Sequence, residues 1–271
     1  MSEETAIVQT KVKPNTISSL TKEFIELGIK PGMVLIVHSS LNSLGWVCGG
    51  AVSVILSLEN ILTSKGTLVM PAHSGDLSDP ANWSNPPVPA SWIETIRNEM
   101  PSFDRDLTPT RGIGKTPEIF RKQKNVVRSS HPQVSFAAWG KKRKYIIKDN
   151  HFDYAMNKQS PLGRIYDLNG SILLIGVGYE NNTSLHLAEY MADYPAKKII
   201  KNGMPVTENG TVCWKEFDDV DISTDDFEKI GTDYEKENDI QTGKVGNAVC
   251  KLINQRSLVD FAVKWMEKNR I

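Results

Sequence analysis

One predicted helix presents a face on which proton transfer could take place. Four polar residues follow the spacing i, i+3, i+4, i+7, which places their side chains along one side of a helix: His186, Glu189, Tyr190 and Asp193. A neutral imidazole can remove a proton from a nucleophile, and a carboxylate can orient the ring and stabilise the imidazolium that forms. The spacing therefore predicts His186 as a general base, with Glu189 one turn away as its local partner.

The residues before this helix predict the element that positions it. The apolar run 172–177 is typical of a strand buried on both faces, and the glycine and asparagines of residues 178–182 predict a turn. We expect the helix to be capped by Thr183 or Ser184 and to end just before Pro195. Ligands of α/β sheets bind beyond the carboxyl ends of the strands, and the positive end of a helix dipole disfavours imidazolium. This unit would therefore hold a neutral histidine at a binding crevice.

Two more buried strands lead into polar loops. Residues 33–37 predict a strand that continues into the loop 38–44, after which a helix is expected over 51–62. Residues 67–70 predict another strand, followed by His73 and a long loop rich in proline, tryptophan and asparagine. Loops of that length are usually functional or disordered. We expect this one to be an ordered wall or lid of the same crevice.

The composition is that of an ordinary globular protein without a strong charge bias. Hydrophobic residues make up 39% of the 271 residues and charged residues 24%, and 32 Lys and Arg balance 32 Asp and Glu. A balanced charge gives no general attraction to nucleic acid or to an anionic membrane. No segment resembles a signal peptide or a membrane span. We therefore expect a cytoplasmic protein with neither nucleic acid nor a membrane as a partner.

Several common motifs fail on spacing. Residues 114–116 (Gly-Lys-Thr) resemble the end of a P-loop, but Pro109 stands where that motif needs glycine. Residues 176–178 begin a dinucleotide fingerprint that lacks its third glycine, and no Gly-x-Ser-x-Gly elbow occurs. Three distant cysteines indicate neither a disulfide framework nor a thiolate metal site. A P-loop enzyme, this type of dinucleotide-binding enzyme and a standard serine hydrolase are all disfavoured.

A metal-dependent hydrolase is the lesser alternative for the same polar face. His186 and Glu189 have a spacing compatible with a shared metal, and His38 or His73 could complete the ligand set from neighbouring strand ends. No His-Glu-x-x-His pair is present, however. We therefore expect no metal and favour the interpretation of His186 as a base.

The C-terminal third of the chain predicts a hairpin and an acidic segment. Residues 198–206 and 211–217 are expected to pair around the turn Glu208-Asn209-Gly210. Residues 216–239 contain eleven acidic and two basic residues, a local balance of about nine negative charges. Such a segment either attracts a cationic partner or forms a solvated surface.

Five groups of residues, in order along the chain, together resemble the aminoglycoside 3-N-acetyltransferase family. They are His38-Ser39-Ser40-Leu41 with Gly45, Gly49 and Gly50; residues 108–114; Arg128-Ser129-Ser130-His131-Pro132 with Ser135; Ser160-Pro161-Leu162; and Asn182-Thr183-Ser184-Leu185-His186-Leu187-Ala188-Glu189. The resemblance extends from about residue 19 to the final helix. It implies an α/β fold of that family's own kind, a layered fold with a central, largely parallel or mixed sheet flanked by helices. It also implies acetyl transfer from acetyl-coenzyme A to an amine.

The resemblance implies a single domain over residues 1–271. Its coenzyme A-binding core would span about residues 14–195, and an acidic C-terminal lobe, residues 196–271, would lie on the acceptor side. A last amphipathic helix is expected over 258–267, with Ser257 as its cap, and would pack the C-terminus onto the body.

The resemblance also implies which residues bind the acetyl donor, acetyl-coenzyme A. Backbone amides or hydroxyls of the loop 38–44 could hydrogen-bond the thioester oxygen or the pantetheine amides. Glycines before a helix allow a phosphate to approach closely, and nearby cations could pair with the charge of that phosphate. The residues expected to bind coenzyme A are His38, Ser39, Ser40, Leu41, Asn42, Ser43, Leu44, Gly49, Gly50, Thr108, Arg111, Arg128, Ser129, His131 and Ser135.

The resemblance implies the 3-amino group of an aminoglycoside as the favoured acceptor, and the acidic segment suits such a polycation. We assign Asp219, with His186 and Glu189, to catalysis, and His73 and Asp221 to acceptor binding. Which carboxylate orients the imidazole stays open at this point. Another small amine as acceptor, and a non-catalytic binder of coenzyme A, remain alternatives, and a homodimer is left open.

Overall fold

The computed structural model describes residues 3–10, 13–148 and 151–271. Within these residues seven strands form a central sheet and two form a separate hairpin. The strands are β1 (Val34–Ser39), β2 (Thr67–Pro71), β3 (Val127–Arg128), β4 (Phe136–Gly140), β5 (Ser171–Ile175), β6 (Ile199–Glu208), β7 (Thr211–Val220), β8 (Gln241–Val245) and β9 (Ala248–Asn254). The helices are α1 (Glu3–Gln9), α2 (Ile17–Glu26), α3 (Gly50–Leu62), α4 (Ile93–Glu99), α5 (Lys115–Phe120), α6 (Arg143–Ile146), α7 (Pro161–Asp167), α8 (Ser184–Met191), α9 (Phe227–Glu237) and α10 (Gln255–Asn269).

Three parallel strands form the middle of the central sheet, in the order β2, β1, β5. Ile36 of β1 is aligned with Val69 of β2 and with Ile172 of β5. Strands β4 and β3 extend the sheet beyond β2, and β9 and β8 extend it beyond β5, each antiparallel to its neighbour. The predicted α/β fold with a mixed central sheet is confirmed.

Helices cover both faces of the sheet, which explains the unbroken apolar runs of its middle strands. Successive side chains of a strand point to opposite faces. Leu173 of β5 accordingly lies in one buried cluster with Phe24 of α2 and Leu58 of α3. Leu174 lies in another, with Leu187 of α8. This packing fixes α8 against the sheet through its apolar side.

The parallel strands bring three predicted loops to one edge of the sheet. Strands β2, β1 and β5 run in the same direction, so their carboxyl ends meet at that edge. The loop after β1 begins at Ser40, His73 follows β2, and the turn into α8 follows β5. The topology therefore positions the loops for a shared site.

The predicted hairpin is confirmed as β6 and β7. Asn209 and Gly210 connect the two strands with φ values of 51° and 80°. Positive φ at both central positions is the geometry of the tight turn that matches strand twist, and asparagine and glycine adopt it at low cost. Met204, Val206 and Phe217 form a small core of their own beneath it.

Helix α8 is shorter than the sequence predicts. It ends at Met191, so Asp193 lies outside the helix and does not share the face of His186. The backbone N–H of Asp193 instead donates to Glu267 at 3.2 Å. The predicted side-chain cap from Thr183 or Ser184 is also wrong, because the carboxamide oxygen of Asn182 accepts the N–H of Ser184 at 3.2 Å.

The chain after residue 195 is divided between two places. The hairpin β6–β7 stands apart, whereas β8 and β9 complete the central sheet, so the core is not restricted to residues 14–195. The final helix, α10, begins earlier than predicted, and its cap is Asn254, whose carboxamide accepts the N–H of Ser257 at 2.9 Å. Among the described residues no helix has the length and apolar character needed to cross a bilayer.

Candidate active site

The structure brings the predicted histidine and carboxylate into direct contact. His186 lies in the first turn of α8, and its Nδ1 is 2.5 Å from Oε2 of Glu189 one turn later. The imidazole ring packs against the buried ring of Phe227, with 4.9 Å between the ring centroids. The i, i+3 spacing on a helix explains the contact, because residues three apart lie on the same face. We refer to His186 and Glu189 as the dyad.

Glu189 is fully buried, with 0% of its surface exposed. Its Oε1 accepts the N–H of Ser223 at 3.0 Å and the Nη1 of Arg270 at 2.7 Å. A buried carboxylate must be paired and hydrogen-bonded to remain charged. The partners of Glu189 satisfy that condition and hold its other oxygen on His186.

Two further histidines lie near the dyad at the ends of neighbouring strands. Burial and, to a lesser extent, the nearby imidazole of His186 together lower the pKa of both His38 and His73 to about 3. Both rings are therefore neutral at physiological pH. Within the described residues, Nε2 of each is buried without a hydrogen-bond partner.

A cleft of about 460 Å³ opens beside these residues. The first five residues of the predicted donor loop line it, together with the loop before α5 and the turn before α8. The lining residues are Val37, His38, Ser39, Ser40, Leu41, Asn42, Pro71, Gly112, Ile113, Gly114, Lys115, Pro117, Val177, Asn181 and Thr183. The structure thus brings the loop after β1 and the turn before the dyad to one cavity.

The residues of this cleft fit a coenzyme with amides and phosphates. Ser39 Oγ and His38 Nε2 are buried polar atoms without a partner in the described chain. Gly112 and Gly114 have φ values of 74° and 82°, and a Cβ on Gly114 would come within 3.8 Å of the Ser39 carbonyl. Lys115 is exposed and supplies a cation that the sequence analysis missed. Its only signal was the Gly-Lys-Thr stretch, which fails as a P-loop.

The remaining residues of the predicted donor loop have local roles. Ser43 Oγ donates to the Ser40 carbonyl at 2.7 Å, and Leu44 is fully buried in the core. Gly49 and Gly50 begin α3 with φ values of 80° and 58°, and a Cβ on Gly49 would come within 2.6 Å of Ser53 Oγ. These glycines are required by the turn itself.

Arg128 is held in the interior, which differs from the expected contact with a phosphate. Only 4% of its surface is exposed, and burial lowers its pKa to about 10. Its guanidinium donates to five oxygen atoms, which belong to Ala72, Ser74, Arg105, Thr108 and Ser135. Arg128 therefore ties the loop after β2 to the loop after α4, and its donors are engaged there.

Three other predicted donor residues also make internal contacts. Ser129 Oγ accepts the N–H of Phe136 at 2.9 Å. The fully buried His131 accepts the N–H groups of Gln133 and Val134 on Nδ1, and burial lowers its pKa to about 4. Arg111 is exposed and pairs with Asp76, at a separate cavity. The structure does not place these residues on the cleft described above.

The acidic segment wraps around α8. The hydroxyl of Tyr190 donates to Asp219, and burial raises the pKa of both groups. Ser223 contacts Glu189, whereas Asp221 is exposed at the end of β7. Glu189 is thus the carboxylate on the imidazole, and Asp219 pairs with the neighbouring tyrosine. Among the described residues, no group of three His, Cys, Asp or Glu side chains has the arrangement of a metal site.

The fold and the site define a class of acyl-transferring enzymes. Residues 36–267 match the family model described as aminoglycoside 3-N-acetyltransferase, and the chain belongs to this family. It is similar to the SPbeta prophage-derived aminoglycoside N(3')-acetyltransferase-like protein YokD of Bacillus subtilis, with 43% identity over 97% of this chain and 96% of the relative. The crystal structure of YokD matches with a TM-score of 0.95 over 98% of both chains, at 41% identity.

Two more distant relatives carry family names. Aminoglycoside N(3)-acetyltransferase VII of Streptomyces paromomycinus is 31% identical over 98% of this chain and 96% of its own. The structure described as AAC-IIIb binary with CoASH is 27% identical, has a TM-score of 0.84, and is matched over 94% of this chain and 97% of that one. The similarity thus extends over almost the whole chain and not only over the dyad.

Proposed function

We propose that this protein transfers an acetyl group from acetyl-coenzyme A to the 3-amino group of an aminoglycoside-like polyamine, with His186 as general base. The observation that carries the proposal is the dyad, in which a buried carboxylate holds Nδ1 of the imidazole at the strand ends beside the cleft. The names of the relatives support an aminoglycoside as acceptor.

The dyad defines which nitrogen would act. With the Nδ1 proton donated to Glu189, the lone pair of the neutral ring lies on Nε2. An amine is a nucleophile only when unprotonated, and Nε2 would take its proton as the carbonyl is attacked. The fixed charge of Glu189 would stabilise the imidazolium, which would then give the proton to the departing thiolate of coenzyme A as the thioester C–S bond breaks. His38 and His73 stay neutral during this step, so they place no full positive charge near it.

The cleft would hold the donor. Acetyl-coenzyme A, when bound, supplies an acetyl group activated as a thioester. Ser39, Asn42 and Lys115 line this cleft. The two polar side chains would bind amides of the donor, and the Lys115 cation would attract its phosphate charge. The complex of AAC-IIIb with CoASH supports a donor of this class.

The experiment that tests the proposal is thiol release from acetyl-coenzyme A across a panel of aminoglycosides and simple polyamines. We expect thiol release with at least one aminoglycoside. In the His186→Ala variant kcat should fall by at least about 100-fold, as is typical for loss of a general base. His151→Ala, at an exposed histidine, is the matched control and should keep the wild-type rate.

Two results would contradict the proposal. Equal thiol release by wild type and His186→Ala would remove His186 as the base. Thiol release that no amine stimulates would remove the acceptor class, even if coenzyme A binds.

A further inference from the structure

We infer that Arg270 is a positioning residue for acetyl transfer, because it holds the Glu189 carboxylate that orients His186. Arg270 follows α10, and it lies outside residues 36–267 that match the family model. The inference rests on the proposed function of the dyad. It adds a residue that neither the sequence pattern nor the family match indicates.

The contacts of Arg270 connect three parts of the chain. Its Nη1 donates to Glu189 Oε1 at 2.7 Å, while Nη2 and Nε donate to the two oxygens of Asp226 at 2.6 and 2.8 Å. Nη1 also lies 3.1 Å from the hydroxyl of Tyr194, whose ring the guanidinium covers. Asp226 immediately precedes α9, and the first residue of α9, Phe227, packs against the His186 ring.

This geometry positions the dyad from two sides. Through Glu189, Arg270 fixes the carboxylate that bonds Nδ1 of His186. Through Asp226, it fixes the start of the helix whose Phe227 restrains the same ring. A guanidinium suits this role because its rigid fork can bond two carboxylates at once, whereas an ammonium presents a single point of charge.

The charges around the dyad predict how loss of Arg270 would change the pH dependence of kcat/KM. The charged groups near it are Arg270, Asp226 and Lys197, and the Lys197 ammonium donates to the carbonyls of Tyr190 and Ala192 and interacts with the charge of Glu189. His38, His73, Tyr190 and Tyr194 are neutral neighbours, and Asp219 is engaged by Tyr190. Removing the Arg270 cation leaves the buried Glu189 charge with His186 as its nearest compensating group. The dyad would then keep a proton to higher pH, and the acidic limb of the kcat/KM profile would move upward.

The test compares Arg270→Gln with Arg256→Gln in the full chain. Arg256 is the matched control because it also ties α10 to the body, through the carbonyls of Tyr166 and Asp167 and stacking on the Tyr166 ring. We expect Arg270→Gln to lower kcat about 100-fold with little change in KM for acetyl-coenzyme A, and to move the acidic limb by about one pH unit. Arg256→Gln should lower the melting temperature and leave kcat and the limb unchanged.

Arg270→Lys keeps the inference testable if Arg270→Gln does not fold. Lysine retains the charge but not the fork, so we expect a lowered kcat with the acidic limb near its wild-type position. A wild-type kcat in Arg270→Lys, or a wild-type kcat and pH profile in Arg270→Gln, would overturn the inference. Loss of activity in His186→Ala alongside either result would show that the proposed base stands and that only the role of Arg270 fails.

Discussion

Arg128 and Lys115 show how burial decides which cations can bind a ligand. Arg128 is almost entirely buried and donates to five oxygen atoms of the protein, so its N–H groups already hold the surrounding loops together. Lys115 is exposed on the cleft. A cation at the surface can exchange water for phosphate at little cost, whereas a buried one would have to abandon fixed partners.

Replacing Arg128 should therefore affect stability more than binding. Arg128→Met removes a donor from five oxygens, although the Ala72 carbonyl keeps its hydrogen bond from Ser135 Oγ. Because unsatisfied buried acceptors cost about 1 to 3 kcal/mol each, we expect a loss of about 3 to 5 kcal/mol in the free energy of unfolding, measured by urea denaturation. Arg111→Met, which breaks an exposed pair with Asp76, should cost less than about 1 kcal/mol. Equal losses in the two variants would contradict the structural role of Arg128.

The sequence predicts local contacts of single residues better than distant ones. The contact between His186 and Glu189 follows from helix periodicity alone. The contact of Glu189 with Arg270 depends on how α8 and α10 pack, which no spacing rule encodes. The role of Arg128 could not be predicted for the same reason, since a motif indicates a residue type but not whether the fold buries it.

At the scale of elements, the acidic segment combines buried and exposed carboxylates around one helix. Asp219 is partly buried against Tyr190, and Asp226 is paired with Arg270. Asp221 is exposed between them. The segment therefore supports α8 with some of its acidic residues and offers the charge of others to solvent.

The exposed part of this charge should speed the encounter with a polycationic acceptor. We expect Asp221→Asn to raise the acceptor KM roughly threefold at low salt and to have little effect near 1 M salt, where the screening length is about 3 Å. Asp233→Asn is the control, because Lys229 and Lys236 already compensate Asp233. A KM that does not change with Asp221→Asn at either ionic strength would count against the electrostatic role.

Element boundaries depended on chemistry that the sequence shows only in part. The middle strands and the hairpin follow from apolar runs and the Asn-Gly turn, and they are confirmed. The polar edge strand β8 has little apolar periodicity, so the prediction missed it. Strand β8 is stabilised by its hydrogen bonds to β9, not by an apolar pattern of its own.

For the whole molecule, the neutral buried histidines make stability depend on pH. Burial lowers the pKa of His38 and His73 to about 3 and that of His131 to about 4, whereas an unfolded histidine titrates near 6.5. Between about pH 6.5 and 4 the unfolded chain therefore binds more protons than the folded one. Stability is complete above this window and falls as the pH falls through it.

This dependence of stability on pH can be measured as the free energy of unfolding at pH 7, 6 and 5. We expect a decrease of up to about 1.4 kcal/mol per pH unit for each buried histidine. His131→Asn retains an acceptor for the N–H groups of Gln133 and Val134 but cannot titrate, so its slope should be about a third smaller. The same free energy at pH 5 and pH 7 would exclude the linkage.

The order of strands in the central sheet has a consequence for biosynthesis. Strand β5, which leads into the dyad helix, lies between β1 and β9, and β9 comes near the end of the chain. A ribosome releases β5 and α8 well before residues 248–254, so the nascent protein carries an open strand edge beside the helix that holds His186. Such an edge invites pairing with other chains until β9 covers it, so the unfinished chain is more prone to aggregate than the complete fold.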